Sequence, residues 1–457
     1  KKSDLYAYFL VRTLNLLSKD GVASVISSDK WLETGYGISL QKRLKDNLIA
    51  VYGQRERTFG ADINTVITVY RARKLATPVH FTYLNLYGGE EVRQNIAMIR
   101  KDLMPGKWFY LRVPKIFLEK ILPKLTFRLE EIADIKRGFT TGANEFFYMK
   151  KVNHLYEADR LTNPKVFEEM GIRTKTADSL RKQGLTYMEN EEGERFVIEE
   201  KSIKPLLRSI RDFGHPHIRR KPATFCLVLE SVVNKKAKFS ARYVQMGEKK
   251  TINVTRGSAR KTVIGYHSLS TTRVRPIWYV LPSLKPAKLA LPELFSMRFL
   301  SFFSETPVLA DHLFDMVYPR KISHERTLWL YLNSTIYFMM LELWSPRMGG
   351  GGGALHPRTI EYKTMPIPDI EQLVSHLQNV NYGNRSTLPY YEEIKQSDKI
   401  ALDMAVLRGM GFADEQARTL LSELYKSYIE LVNDRLTKAG KSIAKRVKQL
   451  QEGNDND

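Results

Sequence analysis

The chain has 457 residues, 43% hydrophobic and 27% charged, enough for two or three domains with cores of their own. Lys and Arg outnumber Asp and Glu by 72 to 50, a formal charge of +22, which points to a polyanionic partner with nucleic acid first. One cysteine, Cys226, excludes an internal disulfide or a multi-cysteine zinc site and fits a reducing cytoplasm; no run reaches about 18 apolar residues, so no transmembrane helix is expected.

Leu10, Leu14 and Leu17 recur at helical spacing with Phe9 beside them, and Gly21 suits the end of that helix. VASVIS then predicts a buried strand, and DKWLETGYGISLQKRL a turn and a second, basic helix. LIAVYG and TVITVY, rich in β-branched residues, predict two further strands. Helix, strand, helix, strand over residues 1–75 is half of a doubly wound α/β sheet. Such a sheet needs more strands on its N-terminal side, so the chain is expected to be a C-terminal portion.

Three stretches in order, SDLYAYF, LNLLSKDGVASVISSDKWL and RTFGADINTVITVY, resemble adenine-specific DNA methyltransferases with a fused target recognition domain, including type IIG restriction-modification enzymes. Where the family pattern has two glycines, this chain has Asp20-Gly21. The resemblance implies S-adenosylmethionine as cofactor in the intact enzyme, with Phe9 against its adenine. It implies Phe59, in ERTFGADINTV, as the ring that stacks on the flipped target base. The residues alone also allow a core phenylalanine at 9 and a loop phenylalanine at 59. The family's glycine-containing cofactor loop and its Asn-Pro-Pro-aromatic motif are absent, since the sole Asn-Pro is Asn163-Pro164, followed by Lys165. No catalytic residue is therefore assigned, and the chain alone is expected to be inactive.

Residues 76–126 read as a connecting segment, with GKWFYLRVP and the amphipathic IFLEKILPKL. An α+β target recognition domain is expected over 127–372. It opens with LEEIADIKRGFTTGANEFFYM, where Gly138, Thr140, Thr141, Gly142 and Asn144 fit the family's Arg-Gly-x-x-Thr-Gly-x-Asn. Glycines with short hydroxyls and an amide suit a tight loop that meets phosphates or base edges, or a plain β-turn. In HPHIRRKPATF, Arg219, Arg220 and Lys221 are phosphate contacts in expectation. His215 and His217 lack companions for a metal site and read as a surface pair. RVRPIWYVLP predicts an alternating strand with Arg273 and Arg275 on one side. TLWLYLNSTIYFMMLELWS predicts one buried helix, which Asn333, Ser334, Thr335 and Glu342 argue is not a membrane span.

That helix runs into RMGGGGGALHPRTIEYKTMPIPD. Gly349 and Gly350 open a run of glycines that gives close backbone approach or a hinge; by the resemblance it is expected near the DNA backbone with Arg347 and Arg358 beside it, and the residues alone also allow a flexible connector. No Gly-Lys-Ser/Thr follows, so this is no P-loop. Residues 373–457 read as a helical segment with a disordered tail, in which Asp414 caps a helix and Leu420, Leu421, Leu424, Tyr428, Leu431 and Val432 form its apolar stripe.

The resemblance thus implies the C-terminal part of a site-specific DNA adenine methyltransferase, mainly its recognition module. Its partners would be double-stranded DNA, with the missing N-terminal catalytic half or a restriction subunit, and no membrane. The alternative is a non-catalytic DNA specificity subunit working with a separate modification subunit, for which half a methyltransferase sheet has no use. An RNA-binding protein is permitted by the charge, but no RNA-binding motif is present.

Overall fold

The computed structural model describes residues 3–54, 63–85, 91–210, 215–229, 238–256, 259–282, 285–347 and 353–438. The first unit opens with helix α1 (Leu5–Leu16), then β1 (Val22–Ser28), α2 (Gly37–Leu44), β2 (Leu48–Gln54) and β3 (Thr65–Arg71). Two more strands, β4 (Val79–Asn85) and β5 (Glu91–Met98), complete a five-stranded sheet ordered β1-β3-β2-β4-β5. The segment expected to be a connector therefore supplies two strands, and the sheet continues past residue 75.

The predicted order of helix and strand holds, in an α/β unit whose sheet is mixed. β3 runs antiparallel to both its neighbours, β5 is antiparallel to β4, and β2 with β4 is the parallel pair. β1 is the edge of the sheet and shows alternating burial, with Val22 and Ile26 about half exposed. An edge strand covered on one side alternates, whereas the buried strand expected at VASVIS would not. Leu10, Leu40, Leu44, Val51, Tyr70, Phe81 and Trp108 fill this unit's core.

The second unit is built on a mixed sheet. Its strands are β6 (Ala133–Arg137), β7 (Tyr148–Lys151), β8 (Leu185–Asn190), β9 (Arg195–Glu199), β10 (Ile203–Leu207), β11 (His217–Ile218), β12 (Thr224–Leu227), β13 (Ala287–Pro292), β14 (Phe302–Ala310) and β15 (Phe314–Pro319). The order is β9-β8-β7-β12-β10-β14-β13-β15-β6, with β11 on β14. β10 and β11 both run parallel to β14; the other pairs are antiparallel. The RVRPIWYVLP strand is not formed. Residues 271–279 follow turns, in which the Thr272 hydroxyl and the Arg275 guanidinium satisfy nearby carbonyls that a ladder would have used.

Behind this sheet lie α3 (Glu325–Tyr331), α4 (Thr335–Trp344), α5 (Thr359–Lys363), α6 (Ile370–Leu377), α7 (Ser397–Gly409) and α8 (Asp414–Lys438). The one helix expected over TLWLYLNSTIYFMMLELWS is two. Asn333 is fully buried, and its amide donates to the Ser301 hydroxyl at 2.6 Å and the Trp329 carbonyl at 3.0 Å. Ser334 then caps α4 by accepting from Tyr337 N. The break is held from below by Lys399, whose ammonium donates to the Asn333 carbonyl at 2.7 Å and lies 4.5 Å from the Phe338 ring.

The apolar stripe read on α8 is buried as predicted, from Leu420 to Val432. It shares one core with α3, α4, α6 and α7, so no packing boundary falls at residue 373. The stretch from Ile96 to Leu125 belongs to both units: Trp108 and Leu111 enter the first core, Phe109, Val113 and Phe117 the second. Among the described residues no helix is long and apolar enough to cross a membrane.

Candidate nucleic-acid interface

The Arg-Gly motif lies at the end of β6, paired with β15 so that Arg137 stands opposite Asp315. Gly138 N donates to the Phe314 carbonyl at 2.8 Å, and a Cβ at Gly138 would lie 2.1 Å from the Asp311 carbonyl oxygen. Backbone meets backbone there, which requires glycine. Gly142 has φ +74°, and its carbonyl accepts from the Thr271 hydroxyl at 2.6 Å.

Thr141, expected to reach DNA, is fully buried. Its hydroxyl accepts from Ala143 N at 3.1 Å and bonds the Asn144 side chain, so both residues shape the turn. Thr140 faces outward, and its carbonyl accepts from Arg275 Nη2 at 2.9 Å. Of the residues singled out here, Thr140 presents its side chain to solvent, and the rest build the loop that carries it.

Arg137 was missed as a site residue. Its Nε lies 2.6 Å from Glu293 Oε1, and Nη2 donates to Oε2 at 2.8 Å. Nothing local marks Glu293, 156 positions away, as its partner. His356, just beyond the glycine run, places Nε2 3.9 Å from the same carboxylate. The two loops that the sequence singled out thus meet at Glu293.

Arg358 is exposed and holds Glu361 through Nε at 3.1 Å and Nη2 at 3.0 Å. Burial would raise the Glu361 carboxyl, but the hydrogen bonds from Arg358 and the charge of Lys107, 3.6 Å away, outweigh it and keep it below the usual carboxylate range. Beside them Asp315 is buried and its carboxyl is pushed up to about 6 by desolvation, although Thr359 donates to it at 2.6 Å.

Arg347 does not stand on this surface. It lines a cavity of about 400 Å³ between β4, β5 and α8, with Tyr83, Gln94, Arg112, Asn433 and Asp434. Desolvation there, and the neighbouring Arg112, push its guanidinium down to about 10. Among the described residues its Nε has no hydrogen-bond partner. Its backbone is held there by a bridge to Leu355, which Phe295 shares.

Arg219, Arg220 and Lys221 are exposed after β11, with Arg219 Nη2 on the Asn384 side chain at 2.6 Å. The expected surface histidine pair is split. His215 is exposed, but the His217 ring packs against Phe303 and Trp329 while its Nε2 meets Glu305 at 2.6 Å. Phe9 stands outward on α1, 61% exposed. Phe59, Gly349 and Gly350 lie outside the described residues.

Residues 1–52, from α1 into β2, match the family model described as Eco57I restriction-modification methylase. No curated protein matches the chain. Among solved structures, the type IIG restriction endonuclease BpuSI aligns at 13% identity and a TM-score of 0.43, over 96% of this chain and 50% of that one. The type IIL restriction-modification enzyme MmeI, solved in complex with DNA, aligns at 13% and 0.44, over 93% of this chain and 51% of that one. The chain spans about half the length of both. It resembles a restriction-modification methyltransferase, and the resemblance in sequence is carried by its first unit.

Proposed function

We propose that this chain is the recognition-bearing part of a restriction-modification enzyme that transfers a methyl group from S-adenosylmethionine to adenine at a specific duplex sequence. The observation that carries the reading is the join between its two units. The methylase-like first unit is keyed by the Arg112–Glu33 ion pair, and by Lys107 on the Trp344 carbonyl and Glu361, to a larger basic unit. A specificity subunit that acted without catalysis would have no reason to fix a methyltransferase sheet in this way.

In this reading Thr140, Arg219, Arg220, Lys221 and Arg358 face DNA. Gly138, Thr141, Gly142 and Asn144 form the loop behind Thr140, and Gly349 and Gly350 allow close approach of backbone. Phe59 holds the flipped base. The cofactor supplies the methyl group, and the exposed Phe9 ring is free to pack on its adenine.

The sequence holds no Asn-Pro-Pro-aromatic motif, so in this proposal a further polypeptide segment supplies the groups that hold the adenine amino nitrogen. Leu5, Tyr8 and Leu16 beside Phe9, and Val22 and Ile26 on the edge strand, are 48–70% exposed. An apolar helix face next to an open sheet edge is a surface that needs a cover.

Titration of labelled duplexes at rising salt tests the reading. Binding that weakens steeply with salt, and a short enriched motif containing adenine from a random duplex pool, are the expected results. Absence of duplex binding at low salt would overturn it. With the complementary catalytic segment supplied, Phe59→Ala should slow methylation more than it weakens binding; equal methylation rates would remove Phe59 from the base pocket.

A further inference from the structure

Two surface arginines each lie side-on to a buried carboxylate. Arg137 lies side-on to Glu293, with Nη2 donating to Oε2 at 2.8 Å and Nε 2.6 Å from Oε1 while Nε–H donates to the His312 carbonyl at 3.2 Å; Arg358 donates to Glu361 through Nε and Nη2. Both carboxylates are buried, Glu293 4% and Glu361 5% exposed, while the arginine side chains keep 53% and 62% of their surface in solvent.

A guanidinium carries five N–H donors in a rigid fork. In each arginine Nε–H and one proton of Nη2 are occupied, in Arg358 by Glu361 and in Arg137 by the His312 carbonyl and Glu293. That leaves Nη1 and the second Nη2 proton, which point away from the carboxylate, and among the described residues no group accepts from Nη1 of either arginine. Each pair therefore offers solvent two parallel donors in a fixed direction.

The backbones are fixed as well. Gly138 N is bonded to Phe314, directly after Arg137. Arg358 N donates to Glu361 Oε2 at 3.1 Å, so one carboxylate orients both the main chain and the side chain.

We propose that Arg137 and Arg358 read bases, each presenting its free end to O6 and N7 of a guanine in the major groove. The target sequence then holds guanine at the two positions they face. The inference rests on the recognition reading above.

The same two donors would also fit a phosphate, and two features decide against it. Phosphate anchoring runs on net positive charge and counterion release, whereas each arginine here is neutralised by the carboxylate beneath it. Readout of a base edge needs direction more than charge, and a buried side-on partner supplies direction. Arg220 and Lys221, exposed and with no acidic partner among the described residues, are the phosphate type by contrast.

Selection from random duplexes with the full chain tests this, using the wild type, Arg137→Gln, Arg137→Lys and Arg358→Gln. The wild-type motif should contain guanines. Each glutamine variant should lose guanine preference at one position, by on the order of tenfold, and keep its salt slope. Arg137→Lys should lose the same preference, because an ammonium is a point charge without a fork. It keeps a cation over Glu293 and serves if Arg137→Gln does not fold.

Uniform weakening on all sequences, with the salt slope reduced by about one, would make the arginine a phosphate contact and end the proposal. A variant motif identical to the wild type would also end it, with the recognition reading intact. A wild type that retains no motif would remove the recognition reading, and the proposal with it.

Discussion

Helices α1 and α4 are both largely apolar, yet the molecule treats them in opposite ways. In α4 every residue from Thr335 to Leu343 is buried, between the sheet of the second unit and α8. In α1 only Ala7 and Leu10 are buried, while Leu5, Tyr8, Phe9 and Leu16 stand 61–70% exposed. Apolar content alone does not say whether an element is covered; the number of layers packed on it does. The second unit closes its own core, whereas the first presents an apolar face and a strand edge that is unpaired among the described residues.

If that contrast is physical, equal substitutions should cost very different amounts. The largest effect is expected at Arg435, 2% exposed on α8, whose Nη2 holds Glu342 of α4 and the Ser296 carbonyl, each at 2.8 Å. Arg435→Met strands Glu342 in the core and should lower unfolding stability by about 3–5 kcal/mol in denaturant titration. A loss below about 1 kcal/mol would mean that the pair is not closed from water.

A smaller loss, about 1–3 kcal/mol, is expected for Gly138→Ala, where the new methyl meets the Asp311 backbone and the turn must shift. Thermal melts compare it directly with Gly35→Ala in the first unit, where a Cβ meets nothing and the cost should be no more than a few tenths of that.

Acid should sharpen the difference further. The Asp315 carboxyl titrates at about 6 when folded, against an ordinary value of 3.8, because burial disfavours its charge. The folded state binds that proton more tightly than the unfolded chain. The Asp315 contribution is therefore most favourable below about pH 4 and is lost as pH rises through 6. Asp315→Asn should raise stability at pH 7 by about 1–2 kcal/mol and flatten the profile between pH 4 and 6. An unchanged profile would show that another group titrates there. The smallest effect is expected on the open face, where Leu16→Ser should stay within about 0.5 kcal/mol.

How far all this could be read from the sequence depended on range. Period-based expectations held where one face decides burial, as in the stripe from Leu420 to Val432, and the first two helices stand where their spacing put them. What failed was set by partners far along the chain. The break at Asn333 needs Ser301 and Lys399, and the inward turn of Arg347 needs Leu355 and α8. The strand expected around Arg275 gave way to turns because its guanidinium binds the Thr140 carbonyl, 135 positions away. Glycine marked the Arg-Gly loop correctly as a special place. That Thr141 turns inward follows from its bonds to Ala143 N and Asn144, and that Arg137 is held at the surface follows from the buried Glu293 carboxylate, which no local pattern announces.

The reach of Arg435 also bears on how this molecule could be divided. Its Nη1 donates to the Gly353 carbonyl, at the exit of the glycine run. A fragment trimmed at residue 372, where the sequence suggests that recognition ends, would carry Glu342 without its counter-ion and the Gly353 carbonyl without its donor. If the proposed recognition reading holds, grafting its specificity onto another scaffold would require the chain through α8, so the portable unit is larger than the part proposed to face DNA.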